Sequence, residues 1–353
     1  MQTMKSVAVT GKQQLSQFTT PLPDLAPDEA LVRVAYTGIC GSDVPRYFDG
    51  AVHGFPQILG HEFSGIVAAT GSAATRVPIG TRVAVAPLVP CHSCERCRAG
   101  LLAQCPNYSF IGSRRPGAMA EYVVAPEQNL VPVPDSLSLK SAALIEPLTV
   151  AIHGLNQAPF PRGGSVAILG GGVIGLMALL AALDRGASSV TVVDIALWNL
   201  EMARRLGAHH TINSLEGDLA AEFAAIGKPE LVIETAGAAP TRRQALEVAA
   251  RGGQVVYIGT PSADLVLDPH TFELILRGEL TIHGSWMSYS APFPGTEWTD
   301  AARILSQVPF DPEMLVTHEF SLDEVATGMD AMRRSGDRRL KVMFRVAGEV
   351  TEL

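Results

Sequence analysis

A glycine cluster between a short apolar run and a helical pattern constrains the fold of this chain more than any other feature. The apolar run covers Ser165–Leu169, and the helical pattern extends to about Arg185. Between them stand the six residues of a G-x-G-x-x-G motif, Gly170, Gly171, Gly172, Val173, Ile174 and Gly175. Such glycines permit a tight turn and bring a helix N-terminus close to a pyrophosphate. Gly-rich turns also occur for packing reasons, but the strand-then-helix context predicts a dinucleotide site.

An acidic residue lies where a dinucleotide site needs one. Asp194 ends the next strand pattern, nineteen residues after Gly175. Its carboxylate is expected to accept hydrogen bonds from the adenosine ribose and to repel a 2′-phosphate. The sequence therefore predicts NAD rather than NADP as the cofactor. Thr149 and Gly259 are further predicted cofactor-binding residues.

The order of the predicted elements indicates two domains. From 165 to 286, apolar strands alternate with helices, which predicts a Rossmann-type parallel sheet covered on both faces. Up to about residue 155, short runs of alternating polarity between Gly/Pro turns predict a β-rich, barrel-like domain. The tail has helical patterns at Asp300–Gln307 and Leu322–Arg334 and a strand pattern at Lys341–Val346. We predict an α/β protein with one domain at 1–155 and 290–353 and a Rossmann domain at 156–289.

Composition and charge argue against some classes of partner. At 353 residues the chain is long enough for two cores, and 47% hydrophobic with 18% charged residues is typical of a packed globular protein. The net charge is −8, from 27 basic and 35 acidic residues. This balance argues against nucleic acid as a partner. No apolar run reaches the length of a membrane span, so we expect a cytoplasmic protein without a membrane partner.

Four of the five cysteines lie within fifteen residues, at Cys91, Cys94, Cys97 and Cys105. A compact loop with this spacing can wrap four thiolates into a tetrahedron around a structural zinc ion. Disulfides are a poorer explanation because the total is odd and cytosolic proteins rarely hold them. An iron–sulfur cluster is an alternative that the same spacing permits. His92 lies inside the loop but is redundant as a ligand once four sulfurs are present.

A second candidate metal site combines the remaining cysteine with an imidazole and carboxylates. Its candidates are Cys40, His61, Glu62 and Glu146, each in a segment marked by Gly or Pro. This mixture of ligands is typical of zinc sites that keep one coordination position open for substrate. Each residue by itself has an ordinary explanation, as a buried thiol, a hydrogen-bonded loop histidine or a solvated carboxylate. Together they predict a metal-dependent enzyme.

The order and separation of these motifs resemble the zinc-dependent medium-chain dehydrogenase/reductase superfamily over essentially the whole chain. Glu146 stands where the alcohol dehydrogenase branch typically has cysteine, which is similar to the polyol, sorbitol-type branch. Residues 40–46, 110–115, 145–150 and 284–290 are similar to one subgroup, the galactitol-1-phosphate 5-dehydrogenases. The resemblance implies a GroES-like catalytic domain and a Rossmann domain, with the active site in the cleft between them.

Carried onto this chain, the resemblance implies that Cys40, His61 and one carboxylate bind a catalytic zinc ion. Whether Glu62 or Glu146 is the direct ligand stays open, because both arrangements are familiar in this branch. Ser42 occupies the position of the family's proton-relay hydroxyl. With the four-cysteine site, the resemblance implies two zinc ions per chain.

Three residues near Ser42 receive roles from the same resemblance. Asp43 would orient the metal-binding histidine by contacting the ring nitrogen that does not bind the metal. Pro45 stands where some alcohol dehydrogenases have a relay histidine, so the proton is expected to leave by another route. His53 is a candidate for that route.

The implied reaction is the oxidation of a secondary hydroxyl to a ketone. Zinc acts as a Lewis acid that lowers the pKa of a bound hydroxyl from about 16 toward neutrality, and the carbon then gives a hydride to NAD. The predicted substrate is a sugar alcohol or a sugar-alcohol phosphate. An unphosphorylated polyol or another secondary alcohol is the alternative, and a non-catalytic zinc-binding protein is a remote one. The family also implies a homodimer or homotetramer.

Arginines are the candidates for recognising the substrate. Arg114 and Arg115 are adjacent in a Gly-rich loop, where two guanidinium groups could bind a sugar phosphate bidentately. The alternative is that they are solvated, or that they bridge the domains. Arg46 and Trp286 are further pocket residues implied by the resemblance.

Overall fold

The computed structural model describes residues 2–334 and 338–349 of the chain. The chain divides into two compact units, Met1–Glu146 with Tyr289–Leu353, and Pro147–Ser288. The first unit is β-rich and contains both groups of candidate metal ligands, and the second contains the glycine motif. Among the described residues, no helix is both long and apolar enough to cross a membrane.

The strands of the described residues are, in chain order, β1 (Thr3–Gly11), β2 (Gln14–Pro21), β3 (Glu29–Gly38), β4 (Gln57–Ile58), β5 (Glu62–Thr70), β6 (Arg82–Val85), β7 (Leu88–Val89), β8 (Ser109–Phe110), β9 (Tyr122–Pro126), β10 (Leu130–Pro132), β11 (Ser165–Leu169), β12 (Ser189–Asp194), β13 (His210–Asn213), β14 (Leu231–Glu234), β15 (Gln254–Tyr257), β16 (Thr281–Gly284), β17 (Val316–Ser321) and β18 (Lys341–Arg345).

The α-helices of the same residues are α1 (Asp43–Phe48), α2 (Glu95–Arg98), α3 (Leu139–Ala142), α4 (Ile145–Asn156), α5 (Val173–Asp184), α6 (Leu197–Arg205), α7 (Leu219–Ile226), α8 (Ala239–Val248), α9 (Pro269–Gly278), α10 (Thr296–Gln307) and α11 (Val325–Ala331). Short 3₁₀ turns lie at Leu102–Gln104, Glu127–Asn129, Pro312–Leu315 and Leu322–Glu324.

The second unit is built on a six-stranded sheet with the order β13-β12-β11-β14-β15-β16. All of its strand pairs are parallel. The apolar sequence of β11 is explained by its central position, because Val166–Leu169 are almost completely buried. α5 is buried from Gly175 to Ala182 and has no polar face. The strand order reverses beside β11, and ligands of such sheets bind at the carboxyl ends of the strands next to that point.

The first unit contains a larger, mixed sheet. Its order is β10-β6-β5-β3-β18-β17, and β9 also pairs with β3. A three-stranded sheet, β2-β1-β4, and a two-stranded ribbon, β7-β8, complete the unit. β18, near the end of the chain, pairs antiparallel with β3, so that Met343 lies opposite Gly38. This pairing places the tail beside the strand that precedes Cys40.

Several elements differ from the sequence pattern. The helix expected over Leu322–Arg334 is wrong in length, because a 3₁₀ turn occupies Leu322–Glu324 and α11 ends at Ala331. A capping box formed by Ser321 and Glu324 fixes this turn. The sequence pattern predicted no element at β17, which pairs in parallel with β18. Val316, Thr317 and Phe320 are residue types enriched in strands, and the pairing with β18 supplies the backbone partner.

Candidate active site

The glycine motif forms the turn between β11 and α5. Gly170 has a φ of +104°, in the left-handed region that favours glycine. A Cβ at Gly175 would lie 1.7 Å from the carbonyl oxygen of Gly170, so α5 approaches the strand this closely only because the side chain is missing. Gly172 is the N-cap of α5 and supplies no side-chain cap. The start of α5 therefore has the geometry of an anion-binding helix N-terminus.

Asp194 lies beside this turn at the end of β12. Its Oδ2 accepts a hydrogen bond from the backbone N–H of Gly171 at 2.6 Å. Its Oδ1 accepts a second one from the N–H of Ala196 at 2.7 Å. The carboxylate therefore fixes the glycine turn as well as the residues that follow β12.

The other candidates of the second unit have different environments. Thr149 is completely buried in α4. A Cβ at Gly259 would lie 2.2 Å from the backbone nitrogen of Gly237 and 2.7 Å from Oε2 of Glu234, so this position also requires glycine. Burial raises the pKa of Glu234, which ends β14 and was not predicted from the sequence. Trp286, a predicted substrate residue, is 63% exposed.

Four sulfur atoms converge in the lobe between β7 and β8. Sγ of Cys91 lies 3.5 Å from Sγ of Cys105 and 4.0 Å from Sγ of Cys97, and Sγ of Cys94 lies 3.9 Å from Sγ of Cys105. Four Zn–S bonds of about 2.3 Å require sulfur separations of about 3.8 Å in a tetrahedron. The sulfurs are too far apart for disulfides, which need about 2.05 Å. They are too close to surround an iron–sulfur cluster, whose own atoms fill the centre.

Local backbone contacts place these sulfurs. Cys94 is the N-cap of α2, and its Sγ accepts a hydrogen bond from the N–H of Cys97 at 3.4 Å. Hydrogen bonds lower the pKa of Cys91 to about 5 and favour its thiolate, and the largest effect comes from the backbone N–H of Ser93. Nε2 of His92 lies 2.9 Å from the side-chain nitrogen of Gln128, so this imidazole has a partner outside the four sulfurs.

The ends of β3 and β5 bring the second set of candidates together. The two strands are antiparallel with Gly38 opposite Glu62, which places Cys40 beside the start of β5. One ligand atom from each of Cys40, His61 and Glu62 lies within 4.8 Å of the others. His61 and Glu62 are buried, whereas Cys40 is partly exposed. The cluster offers sulfur, nitrogen and oxygen donors.

Glu146 shares the environment of this cluster. It is 8% exposed and lies in the first turn of α4. Burial raises its pKa to about 8, His61 opposes this shift, and Glu62 and Cys40 add to it. Burial likewise raises the pKa of Cys40 to about 11. The protonated forms are therefore favoured until a cation supplies positive charge.

Asp43 lies next to two of the candidate metal ligands, Cys40 and His61. It is completely buried, and its Oδ2 accepts a hydrogen bond from the N–H of Cys40 at 3.1 Å. Its Oδ1 lies 3.6 Å from Nδ1 of His61 and accepts a hydrogen bond from Nη1 of Arg46 at 3.0 Å. The same Nη1 donates to Oγ of Ser42 at 3.0 Å. Because Nδ1 of His61 faces Asp43, Nε2 is the nitrogen left for a metal.

Lys341 is the residue of this site that the sequence analysis missed. It begins β18, is 4% exposed, and its Nζ donates to Oε2 of Glu62 at 2.5 Å and to the carbonyl oxygen of Ile39 at 3.2 Å. Burial alone would lower its pKa, but Glu62 and Cys40 raise it. A Cβ at Gly38 would lie 2.3 Å from Oε2 of Glu62, so this glycine makes room for the ion pair. A lysine at the start of a mainly apolar strand pattern was the available clue.

Both groups of side chains fit zinc. The four-cysteine group fits by its sulfur separations. The second group combines a thiol, an imidazole and carboxylates, the donor set of zinc sites that keep a position for substrate. Cys40, Glu62 and Glu146 are three acidic groups, and Lys341 supplies one positive charge at the cluster. A divalent cation would provide the charge that the buried acids require.

The predicted substrate arginines are engaged elsewhere in the first unit. The guanidinium of Arg114 lies 4.1 Å above the ring of Tyr108 and donates to its carbonyl oxygen at 3.3 Å. Arg115 forms an ion pair with Glu29 on the wall of a cavity of about 360 Å³, whose lining includes none of the metal candidates. The two guanidinium groups therefore have separate partners. His53 is exposed.

Comparison with known families gives two matches that together cover most of the chain. Residues 26–135 match the alcohol dehydrogenase GroES-like domain, and residues 173–307 match the zinc-binding dehydrogenase family. The first range contains Cys40, His61, Glu62 and the four-cysteine lobe. The second begins at Val173 inside the glycine motif.

Individual proteins are similar over most of their length. Galactitol 1-phosphate 5-dehydrogenase of Escherichia coli (strain K12) is 40% identical over 311 residues, which are 87% of this chain and 90% of that protein. Sorbitol dehydrogenase of Bacillus subtilis (strain 168) is 34% identical over 351 residues, 97% of each chain. The crystal structure of galactitol-1-phosphate dehydrogenase from Escherichia coli superposes with a TM-score of 0.92 at 38% identity, covering 97% of this chain and 99% of that one. This chain therefore belongs to the zinc-dependent alcohol and polyol dehydrogenases with a GroES-like and a Rossmann-type domain.

Proposed function

We propose that this protein oxidises a secondary hydroxyl of a sugar alcohol or sugar-alcohol phosphate to a ketone, with NAD as the hydride acceptor. The observation that carries the proposal is the cluster of Cys40, His61 and Glu62, whose ligand atoms lie within 4.8 Å of one another. Buried Glu146 beside this cluster gives it a composition in which a second carboxylate replaces a second cysteine. The family resemblance assigns that composition to polyol substrates.

The side chains divide the chemistry between them. Bound zinc would supply Lewis acidity that makes a substrate hydroxyl easier to deprotonate. Cys40 and His61 would hold the ion with a carboxylate, and Asp43 would orient His61 through Nδ1. The alcohol would lose its hydroxyl proton to Oγ of Ser42, which passes its own proton to water. A bound nicotinamide would accept the carbinol C–H electron pair as hydride, and the C–O bond of the substrate would then become the C=O bond of the ketone.

The dinucleotide is proposed to bind at the turn between β11 and α5, with Asp194 at the adenosine ribose. Replacing Asp194 by glycine removes the negative charge that repels a 2′-phosphate. We expect Asp194→Gly to raise the ratio of kcat/KM for NADP to that for NAD by about 10-fold or more, the scale of one charged contact. The variant also loses the hydrogen bond to Gly171, so both values are expected to fall while their ratio rises. An unchanged ratio would remove Asp194 from the cofactor site.

The substrate is proposed to be galactitol 1-phosphate or a close analogue. The 40% identity with galactitol 1-phosphate 5-dehydrogenase supports a phosphate ester, and the 34% identity with sorbitol dehydrogenase supports the free polyol as the second candidate. Arg114 is the better placed of the two loop arginines for a phosphate, because its partner is a neutral tyrosine, whereas Arg115 is neutralised by Glu29.

The direct test measures NADH formation by zinc-replete enzyme at fixed NAD, with galactitol 1-phosphate and with galactitol. A higher kcat/KM for the ester is expected. Arg114→Ala should then raise KM for the ester and leave KM for galactitol unchanged. Equal or better turnover of galactitol would assign the protein to unphosphorylated polyols with the same mechanism.

The remaining proposals concern the whole protein. A non-catalytic zinc protein would bind zinc but not NADH, so NADH fluorescence titration separates this alternative from an enzyme. A homodimer or homotetramer is proposed by family resemblance, and light scattering on the purified protein measures it. The cytoplasmic location stays a prediction from cysteine usage and from the absence of an apolar span in the sequence.

A further inference from the structure

One nitrogen of Arg46 contacts two groups that matter for the proposed reaction. Nη1 donates to Oγ of Ser42 and to Oδ1 of Asp43, each at 3.0 Å. Ser42 is the N-cap of α1, Asp43 is in its first turn and Arg46 is in its last turn, and these spacings of three and four residues bring the side chains onto one face. The side chain of Arg46 is 20% exposed and that of Asp43 is 0% exposed. Arg46 therefore lies between the buried carboxylate of Asp43 and the solvent.

Asp43 depends on this contact for its role behind His61. A buried carboxylate is strongly unfavourable unless it is paired and hydrogen-bonded. Oδ2 accepts a hydrogen bond from the N–H of Cys40, and Oδ1 accepts one from Arg46 at 3.0 Å and lies 3.6 Å from Nδ1 of His61, just beyond hydrogen-bond distance. Guanidinium keeps its charge at every pH at which an enzyme works. Arg46 thus gives Asp43 a permanent counter-charge and a fixed orientation toward the imidazole.

Ser42 depends on the contact for its geometry. A hydroxyl has one O–H donor and two acceptor lone pairs, and the exposed Ser42 also has a side-chain hydrogen bond with Cys40. The N–H of Arg46 occupies one lone pair. The second lone pair is then left to receive the proton of the substrate hydroxyl, while the O–H of Ser42 releases its proton to water. One proton enters Oγ and one leaves it, so the relay is balanced.

We propose that Arg46 is a positioning residue that holds the Ser42 hydroxyl and the Asp43 carboxylate in their working orientations, instead of binding the substrate. Arg46 itself does not carry the proton, because guanidinium does not give one up at these pH values. The inference rests on the proposed function for Ser42, whereas the part that concerns Asp43 and His61 rests only on the zinc site. It differs from the role that the sequence resemblance assigned to Arg46 in the substrate pocket.

The test compares Arg46→Met and Arg46→Lys with the unchanged protein. Methionine keeps much of the side-chain volume without a donor, and lysine keeps the charge with a single-point donor. Two quantities are measured: kcat and KM for the polyol with saturating NAD, and the rate at which a chelator with a colour change takes zinc from the protein. The zinc held by the four cysteines is an internal control, because its release is expected to stay constant.

For Arg46→Met we expect kcat to fall about 10- to 100-fold, the scale of one hydrogen bond to a charged group. KM for the polyol should stay within about 3-fold, as expected when no substrate contact is lost. Zinc should leave the Cys40 site faster, and millimolar guanidinium should restore part of kcat. For Arg46→Lys, kcat and the rate of zinc release should lie between the values for Arg46→Met and those for the unchanged protein. Arg251→Met, at an exposed arginine of the second unit, should match the unchanged protein in both measurements.

Two results would overturn the inference. A higher KM with unchanged kcat would make Arg46 a substrate-binding residue, and zinc release at the original rate would remove its action on Asp43 and His61. The zinc measurement needs no substrate. If the unchanged protein oxidised no polyol, the proposed function would fail, yet zinc release from Arg46→Met would still decide the role of Arg46 at the metal site. Circular dichroism of each variant confirms that it is folded.

Discussion

At the scale of single residues, the candidate metal site contains charged side chains that pair with one another. Asp43 is paired with Arg46, and Glu62 is paired with Lys341. Removing one partner of a buried pair is costly because the other charge is left without compensation. The residues of these two pairs are therefore expected to affect the stability of the protein as well as its metal affinity.

Lys341 gives a prediction of this kind. Lys341→Met removes the ammonium group that contacts Oε2 of Glu62 at 2.5 Å, in a pair whose side chains are 5% and 2% exposed. We expect the free energy of unfolding to fall by about 3–5 kcal/mol, the usual cost of breaking a buried ion pair from one side. Urea denaturation of the zinc-free protein measures it. Lys12→Met, at an exposed lysine, serves as the control and should change stability by less than about 0.5 kcal/mol.

The double variant Lys341→Met with Glu62→Gln separates the charge from the shape of the side chain. It should recover much of the lost stability, because the neutral amide no longer needs a counter-charge. A double variant as unstable as Lys341→Met alone would show that packing, and not the ion pair, explains the loss.

At the scale of elements, two glycines of the turn between β11 and α5 are required for different reasons. Gly175 is needed for packing, because a Cβ would lie 1.7 Å from the carbonyl oxygen of Gly170. Gly172 has open space where a Cβ would be, with a φ of −71° that any residue adopts. A glycine there is needed only if a ligand comes close to the backbone. The two positions can therefore be tested against each other.

We expect Gly175→Ala to destabilise the protein by about 2 kcal/mol or more, since α5 must move away from β11. Gly172→Ala should leave the melting temperature within about 2 °C, because the extra methyl group meets nothing. Calorimetry measures the melting temperatures, and NADH fluorescence titration measures the affinity of both variants. Weaker NADH binding by the stable Gly172→Ala variant would support a dinucleotide at this turn. Unchanged binding would contradict it.

At the scale of the whole molecule, both candidate zinc sites belong to the first unit, but their ligands differ in how they compete with protons. Metal binding requires deprotonated ligands and therefore releases protons. The pKa of Cys40 is raised to about 11 and that of Glu146 to about 8, so both groups are protonated below pH 8 in the zinc-free protein. Zinc affinity at this site must therefore decrease as the pH is lowered.

The steepness of this decrease identifies the carboxylate ligand. If Glu146 is bound directly, zinc releases two protons below about pH 8, and affinity should fall about 100-fold per pH unit. Between about pH 8 and 11 only the Cys40 proton remains, and the fall should be about 10-fold per unit. If Glu62 is bound instead, the slope should stay near 10-fold below pH 8. Competitive titration with a chelator at several pH values measures the slope, and Glu146→Gln should remove the steeper part only in the first case.

Much of this protein follows from short stretches of sequence. The glycine motif, the four cysteines and the alternation of strands with helices are local patterns, because contiguous residues fix their own spacing by backbone geometry. The fold class and the family that they predicted are confirmed by the family matches and by the similar crystal structure. The convergence of Cys40, His61 and Glu62 required the resemblance, since none of the three points to a metal by itself.

Only the tertiary structure decided which distant residues complete the site. Lys341 meets Glu62 across 279 residues, and Arg115 meets Glu29 across 86. The register of β3 with β5 and with β18 sets the first of these contacts, and a shift by one residue would turn the side chains to the opposite face. A local pattern carries no information about such a register, because it is fixed by the packing of the whole sheet. The sequence therefore determined the kinds of ligands, and the fold determined the charges around them.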